Sequence, residues 1–201
     1  LISTVYLPYK EYRYDYLEAN TKNRFFKFYL PRIESAGLRF IKQNIPEIEI
    51  IEYPTWDEYQ KKLKEKPWDI IGFSFFMNET QEILEMVRYA RAQNIPEIWA
   101  GNYGALTENI SHHFDHVYSG YSEFQIAQRI GKTFHKDQLI HPPIITPAKL
   151  HLGIHLNCMG ILYTNRGCNN SCDFCQTPSF CPRPYKIPIE SIERVIQYYH
   201  K

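Results

Sequence analysis

What the chain lacks narrows its class before any motif is read. The first 157 of its 201 residues contain no cysteine, so no disulfide framework holds most of its length. No apolar run approaches the ~18–20 residues that a membrane-spanning helix requires, which excludes a transmembrane reading. Nor is there an excess of one charge. Lys and Arg number 23 against 22 Asp and Glu, and a division at residue 150 leaves 18 against 19 before it and 5 against 3 after it. Neither part carries the concentrated basic surplus that a phosphate backbone rewards, so composition gives nucleic acid no support as a partner. The opening residues LISTVYLPYK are neither a secretion signal nor an initiator Met, and the expectation is a cytoplasmic fragment of a longer protein.

Aromatic and aliphatic residues are plentiful. The chain is 44% hydrophobic with 16 Tyr and 12 Phe, enough for a sizeable core. Ile2 to Tyr6 reads as a buried strand, and a Tyr-rich stretch follows to Leu30. Pro31 is expected to open a helix whose apolar face is Ile33, Ala36, Gly37, Phe40 and Ile41, stopped by Asn44 and Pro46. Residues 47–53 alternate as an edge strand does. Thr55 and Glu58 form a capping box for a helix bearing Trp56, Tyr59 and Leu63.

Residues 69–76, DIIGFSFF, are nearly continuous apolar residues, as in a central parallel strand. A helix capped by Asn78 and Gln81 then buries Ile83, Met86, Val87 and Ala90. Strands at 97–100 and 115–118 flank an expected helix over 105–114, and a last helix runs from Ser122 to Gly131. Strand and helix thus alternate about five times, which specifies an α/β doubly wound parallel sheet with its ligand crevice beyond the C-terminal strand ends. IHPPIITP, residues 140–147, reads as a semi-rigid linker. A strand over 160–166, the cysteine loop and a helix opened by Pro188 complete the chain. Those ~45 residues are too few for a core of their own, so they are expected to belong to a larger domain.

All five cysteines lie between positions 158 and 181. Cys168, Cys172 and Cys175 are spaced by four and three residues, close enough to surround one compact metal centre. Thiolates are soft ligands that suit iron–sulfur clusters or zinc. Three ligands leave one corner open, and an open site does chemistry where a closed one is structural. The residues alone leave two readings: an open catalytic centre, or a noncatalytic metal-stabilised binding module closed by Cys181, Cys158 or His155. Asn165 and Arg166, at the strand end, are candidates for orienting the loop by hydrogen bonds.

Cys168, Cys172, Phe174 and Cys175 after a strand and an Arg-Gly lead-in resemble the radical S-adenosylmethionine (radical SAM) superfamily. The resemblance implies a 4Fe-4S cluster on the three cysteines, with S-adenosylmethionine completing the open iron and Phe174 packing near its adenine. It further implies reductive cleavage to a 5′-deoxyadenosyl radical, a reductant such as flavodoxin or ferredoxin, and a small-molecule substrate that the sequence does not identify. The strand that receives the cosubstrate's amino group in this family would follow residue 201, so this chain is expected to bind a cluster without a complete cosubstrate site.

The segments DIIGFS, WAGNYG and VYSGYSE are similar to the domain that precedes the barrel in cobalamin-binding radical SAM enzymes. That resemblance implies a cobalamin lying across the strand ends, over the small residues Ser74, Gly101, Gly104, Ser119 and Gly120. It places a Rossmann-like cobalamin-binding-like domain at 1–138, a Pro-rich linker at 139–155, and the first βα unit of a partial TIM barrel at 156–201. Methyl transfer or rearrangement is the implied reaction. The first strand–helix loop, LPYKEYR, departs from the cobalamin pattern that supplies a lower axial His, because it has none. Tyr6, Tyr9, Tyr12, Tyr14 and Tyr16 read as loop packing in preference to a cofactor wall. His112, His113 and His116 fall on the edge opposite the crevice and read as a solvated helix end, and Lys61, Lys62, Lys64 and Lys66 as a solvated helix face.

Overall fold

The structure is a computed structural model that describes residues 1–7, 14–17, 28–31, 34–150, 155–170, 172–181 and 183–200. In chain order the elements are β1 (Ile2–Ser3), β2 (Tyr14–Leu17), β3 (Phe28–Pro31), α1 (Ala36–Asn44), β4 (Ile50–Ile51), α2 (Trp56–Lys64), β5 (Ile70–Ser74) and α3 (Thr80–Ala92). Then follow β6 (Glu97–Gly101), β7 (His116–Tyr118), α4 (Glu123–Arg129), β8 (Ile144–Leu150), β9 (His155–Ile161), β10 (Asn165–Arg166), α5 (Thr177–Phe180), β11 (Tyr185–Lys186) and α6 (Ile189–Tyr199).

Five strands form a parallel sheet in the order β4-β1-β5-β6-β7, a Rossmann-like arrangement in which the strand order reverses between β1 and β5. Alternation along β5 decides its two faces. Ile71, Phe73 and Phe75 pack with Tyr59 and Leu63 of α2 and Ile83, Met86 and Val87 of α3. On the opposite face, Ile2 and Trp99 pack with Leu38 and Ile41 of α1 and Ile126 of α4. The near-continuous apolar character of β5 is thus what a strand covered on both faces requires.

Local signals account for several element ends. The capping box of α2 is present, with Thr55 Oγ1 accepting from Glu58 N and Glu58 Oε2 accepting from Thr55 N. β4 lies on the sheet edge, as its charged alternation suggests. Asn44 ends α1 and also ties it to the chain beyond the sheet, donating from Nδ2 to Ile140 O and accepting at Oδ1 from Ile140 N. Among the described residues, no helix is long and apolar enough to cross a membrane.

Four expectations are corrected. Pro31 closes β3, and α1 begins at Ala36 under a Ser35 cap whose Oγ accepts from Leu38 N; Ile33 lies outside the described residues. Residues 105–114 form no α-helix. Two single-turn 3₁₀ segments, Tyr103–Leu106 and Ser111–His113, span the crossover instead, because Gly104 and Asn102 favour turns there. The helix after β5 is not capped by Asn78; Glu79 Oε2 accepts from Phe76 N. Residues 144–147, expected within a linker, are the first half of β8, in an antiparallel sheet of order β2-β3-β8-β9. That sheet also takes in 14–17 and 28–31 of the Tyr-rich stretch.

The cysteine segment also differs from a simple strand–loop–helix. β10 pairs antiparallel with β11, the cysteine loop lies between them, and α5 occupies 177–180 before α6 follows. A third cluster, Phe40, Leu139, Ile144, Ile187 and Ile192, seats this part on α1.

Candidate functional site

A cavity of about 410 Å³ opens at the C-terminal ends of β1, β5, β6 and β7 and runs down between the sheet and helices α1 and α4. Its volume lies within the ~300–1,000 Å³ of small-molecule sites. The cavity exists because successive positions on one sheet face carry almost no side chain. Gly72 and Ser74 alternate on β5, and Ser74 is paired in register with Gly101 on β6. A Cβ built on Gly101 would meet only Tyr118 O, at 3.8 Å. Ile2, Leu38, Ile41, Trp99 and Ile126 form its deep apolar part.

The small residues expected to face a ligand thus divide. Ser74, Gly101 and Gly120 line the cavity. Gly104 is small for another reason, since a Cβ there would stand 2.5 Å from the Phe75 ring and 2.8 Å from its carbonyl. Ser119 is exposed and is not part of the cavity wall. Gly120 has φ +79 and faces Phe180 O, which a Cβ would approach to 2.7 Å. A glycine is needed here both for the backbone angle and for the segment that descends on it.

That segment comes from the cysteine region. Phe180 rests on Tyr103 with ring centroids 4.3 Å apart and meets Tyr121 edge-on at 5.8 Å. With Tyr163 it stands over the crevice mouth. Asn102 forms the rim with φ +72 and ψ 178, a conformation essentially reserved for glycine, and such strain gathers at functional sites. Its amide donates to Ser74 Oγ at 3.4 Å, and its Oδ1 accepts from Tyr103 N at 2.9 Å.

Glu123 and Arg166 form a buried ion pair across the crevice wall. Arg166 Nη1 lies 2.5 Å from Glu123 Oε1, with the two side chains 3% and 2% exposed. The guanidinium is sandwiched between Phe40 and Tyr121, its carbon 3.6 and 4.3 Å from the ring centroids. Glu123 Oε2 is buried without a hydrogen-bond partner among the described residues. Burial raises the pKa of Tyr121 and Tyr185, and the Glu123 charge adds to the rise at Tyr185.

Arg166 leads through Gly167, at φ +79, directly into Cys168. Cys168, Cys172 and Cys175 carry free thiols, and Cys181, which forms no disulfide, donates from Sγ to Arg183 O at 3.7 Å. Cys168 Sγ accepts from Asn170 N at 3.4 Å, and Cys175 N closes a turn onto Cys172 O at 3.0 Å. Hydrogen bonds from the Thr177 side chain and backbone hold the Cys175 thiol below the ordinary thiol range, which favours the ligating thiolate. Phe174 is 91% exposed.

The donor set fits an iron–sulfur or zinc centre: three accessible thiols on one loop of eight residues, each free of a disulfide. The loop conformation does not gather them, since no group of three His, Cys, Asp or Glu among the described residues could hold a metal ion. Closing on a cluster therefore requires the loop to turn inward. Cys181 is buried at the base of the loop, its Sγ 2.9 Å from the position of a Cβ on Gly167. Cys158 and His155 belong to β9, with Cys158 in register with Pro147.

Of the aromatic residues near the first strand, Tyr6 packs on Trp56 at 5.0 Å and donates to Glu85 Oε2. Tyr14 and Tyr16 belong to β2, and Tyr9 and Tyr12 lie outside the described residues, as does most of the LPYKEYR loop. His112 and His113 are exposed on a 3₁₀ turn and His116 opens β7, at the sheet edge opposite the crevice. Sequence reasoning missed Gly72, Asn102, Glu123 and Phe180 as crevice residues. Only Gly72 left a signal, as a glycine inside an apolar strand. No family model, no curated protein and no solved structure matches the chain.

Proposed function

We propose that the chain is the N-terminal part of a radical SAM enzyme of the cobalamin-associated type, with Cys168, Cys172 and Cys175 holding a 4Fe-4S cluster. The observation that carries the reading is the placement of the three-thiol loop: it leaves a strand whose last residue is bound into the wall of a Rossmann-like crevice. Held by Cys168, Cys172 and Cys175, such a cluster would supply the electron for reductive cleavage of S-adenosylmethionine, the chemistry that methyl transfer or rearrangement of a small-molecule substrate would draw on. The chain's own residues orient and shield. Arg166 fixes where the loop begins, Gly167 turns it, and Phe174 offers an exposed aromatic face to the adenine.

The crevice supports the cobalamin part of the proposal. Its mouth lies at the strand ends, and its apolar depth between sheet and helices suits the arm of a large ligand whose broad ring remains above. Phe180 and Tyr163 cover that mouth, so a corrin enters only when residues 177–181 move aside.

Anaerobic reconstitution with iron and sulfide tests the cluster. About four irons per chain are expected, kept in Cys181→Ala and lost in Cys172→Ala. The position of Cys181 beside Gly167 favours one second reading, a noncatalytic module whose metal is closed by a fourth thiolate. One zinc per chain that disappears in Cys181→Ala would establish it and remove the enzyme reading.

A further inference from the structure

The mouth of the crevice is an aromatic slot that the chain fills with its own ring. Phe180 lies against Tyr103 at 4.3 Å, tilted by 32°, and meets Tyr121 edge-on at 5.8 Å, contacts that the π-system of any flat ring can make. On the other side of Tyr103, Phe76 continues the stack at 6.3 Å, parallel to within 17°, and is 49% exposed. The aromatic platform thus reaches beyond what Phe180 covers. Phe180 is carried on the single turn α5, whose hydrogen bonds from Phe180 N to Gln176 O and from Cys181 N to Thr177 O close within the turn. Gly120, at φ +79, lets the Phe180 carbonyl descend onto the crevice. The turn is shaped to seat there, yet the rings that seat it offer the same contacts to another ring.

The wall beneath decides the charge of that other ring. Two of its residues are carboxylates, and each faces a guanidinium: Glu34 Oε1 lies 2.9 Å from Arg39 Nη2, and Glu123 Oε1 2.5 Å from Arg166 Nη1. Arg39 serves Glu52 as well, so the surplus that remains is negative and turns anions away. The deep part, built from Ile2, Leu38, Ile41 and Ile126, gives a charged group no return for the water it sheds.

We infer that the slot between Tyr103 and Tyr121 is a binding subsite for a flat, uncharged conjugated ring, which Phe180 occupies as a stand-in and yields when such a ligand enters the crevice. The inference rests on the crevice being a ligand site, as proposed above, and adds the shape and charge of what enters and the latch that guards it. With Phe180 in place only a fraction of the chains can bind, and the observed affinity falls by that fraction. The ligand in turn selects chains in which α5 has lifted. Lifting α5 uncovers Cys181, the next residue in the chain, which is 8% exposed when the latch is closed.

The test uses the full chain, reduced and cluster-free, under anaerobic conditions. The probes are N-phenyl-1-naphthylamine, which is uncharged and brightens in apolar surroundings, and 8-anilino-1-naphthalenesulfonate, the same rings with one sulfonate added. Fluorescence titration should show a single saturable site for the uncharged probe and binding weaker by about tenfold or more for the sulfonate. Phe180→Ala should bind the uncharged probe about fivefold or more tightly, because the competing ring is gone. Tyr103→Ala should lose most of the affinity with the platform, and Gly101→Phe, which fills the crevice below the slot, should bind neither probe.

A second measurement follows the latch in the wild type itself, so the outcome does not depend on how well Phe180→Ala folds. Alkylation of Cys181 by iodoacetamide is read by peptide mass spectrometry, with exposed Cys172 as internal reference. Saturating N-phenyl-1-naphthylamine should speed Cys181 relative to Cys172 by about fivefold or more. Binding that leaves Cys181 as protected as before, wild-type affinity in a folded Phe180→Ala chain, equal affinity for the sulfonate, or undiminished binding in Gly101→Phe each overturns the inference. A chain that binds hydroxocobalamin and not the uncharged probe overturns the inference alone. A chain that binds neither overturns the crevice reading and the inference with it.

Discussion

The hydroxyl of Tyr199 lies 2.9 Å from the backbone nitrogen of Ile144, 55 residues earlier in the chain, and accepts its hydrogen bond. The same hydroxyl shares its proton between the carbonyls of Ile161 at 2.8 Å and Ile144 at 3.0 Å. One phenol thus clasps the paired ends of β8 and β9 to the last turn of α6. Tyr199→Phe keeps the ring and leaves those backbone groups without their partner, which should cost about 1–3 kcal/mol. A urea titration should show an earlier midpoint with an unchanged slope; an unmoved midpoint would mean that the clasp does not form in solution.

Two glycines should respond to alanine in opposite directions. At Gly104 the new Cβ would meet the Phe75 ring at 2.5 and 2.7 Å, within a core that has no room to give, and Gly104→Ala should destabilise by about 1–3 kcal/mol. At Gly37, in the first turn of α1, nothing lies within 4 Å. Gly37→Ala should stabilise by about 0.5–1 kcal/mol through lower backbone entropy in the unfolded chain. Thermal melts of the two variants, run side by side, read both signs.

The legible parts of the sequence are those where one local pattern decides the outcome. Ile83, Met86, Val87 and Ala90 recur at helical spacing and form the buried face of α3, and Thr55 with Glu58 closes the capping box of α2. Small residues were legible as small but not as to why. Gly101 leaves open space in the cavity wall, Gly104 yields to Phe75, and Gly120 yields to Phe180, and only the three-dimensional neighbour separates these cases. Glu123 and Arg166 are 43 residues apart, so no spacing rule could pair them. The expected helix at 105–114 failed for a related reason: turn-forming Asn102 and Gly104 lie at its start, and local turn chemistry outweighed the apolar pattern.

His141 predicts a pH dependence of stability. Its Nε2 accepts from Tyr163 N at 2.8 Å, so the proton resides on Nδ1, which donates to Pro142 O at 2.6 Å. Burial, with Arg166 adding to it and the Pro142 hydrogen bond opposing it, lowers the pKa below the ordinary value of 6.5. The folded state therefore binds fewer protons than the unfolded state just below that value. Stability from this site is complete above pH ~6.5 and is lost as pH falls toward the folded pKa. Urea midpoints measured from pH 7.5 down to 5 should decline, and His141→Gln should remove the part of the decline that begins near 6.5.

The conformation of Asn102 is held at a cost that glycine would avoid. With φ +72 and ψ 178, replacement by Gly should relieve about 1–3 kcal/mol of strain, less the loss of the two side-chain hydrogen bonds and the added chain entropy. Asn102→Gly should therefore be at least as stable as the wild type, whereas Asn102→Ala should be less stable, since it keeps the strain and loses the amide. Finding both variants equally destabilised would place the strain elsewhere.

Gly101 offers the cleanest way to close the crevice without touching the cysteine loop. Its Cβ direction is open, with Tyr118 O the nearest atom at 3.8 Å, and it stands beside Ser74 at the end of the central strands. Gly101→Phe should fill a large part of the 410 Å³ cavity with an apolar ring on apolar walls, so the fold should persist; overpacking would cost no more than about 1–3 kcal/mol. Hydroxocobalamin, followed by its visible spectrum, should bind the wild type and not this variant, while iron content after reconstitution stays the same in both. Undiminished binding by a folded Gly101→Phe chain would move the ligand away from the sheet edge, and a parallel loss of iron would show that the crevice and the three thiols cannot be perturbed separately.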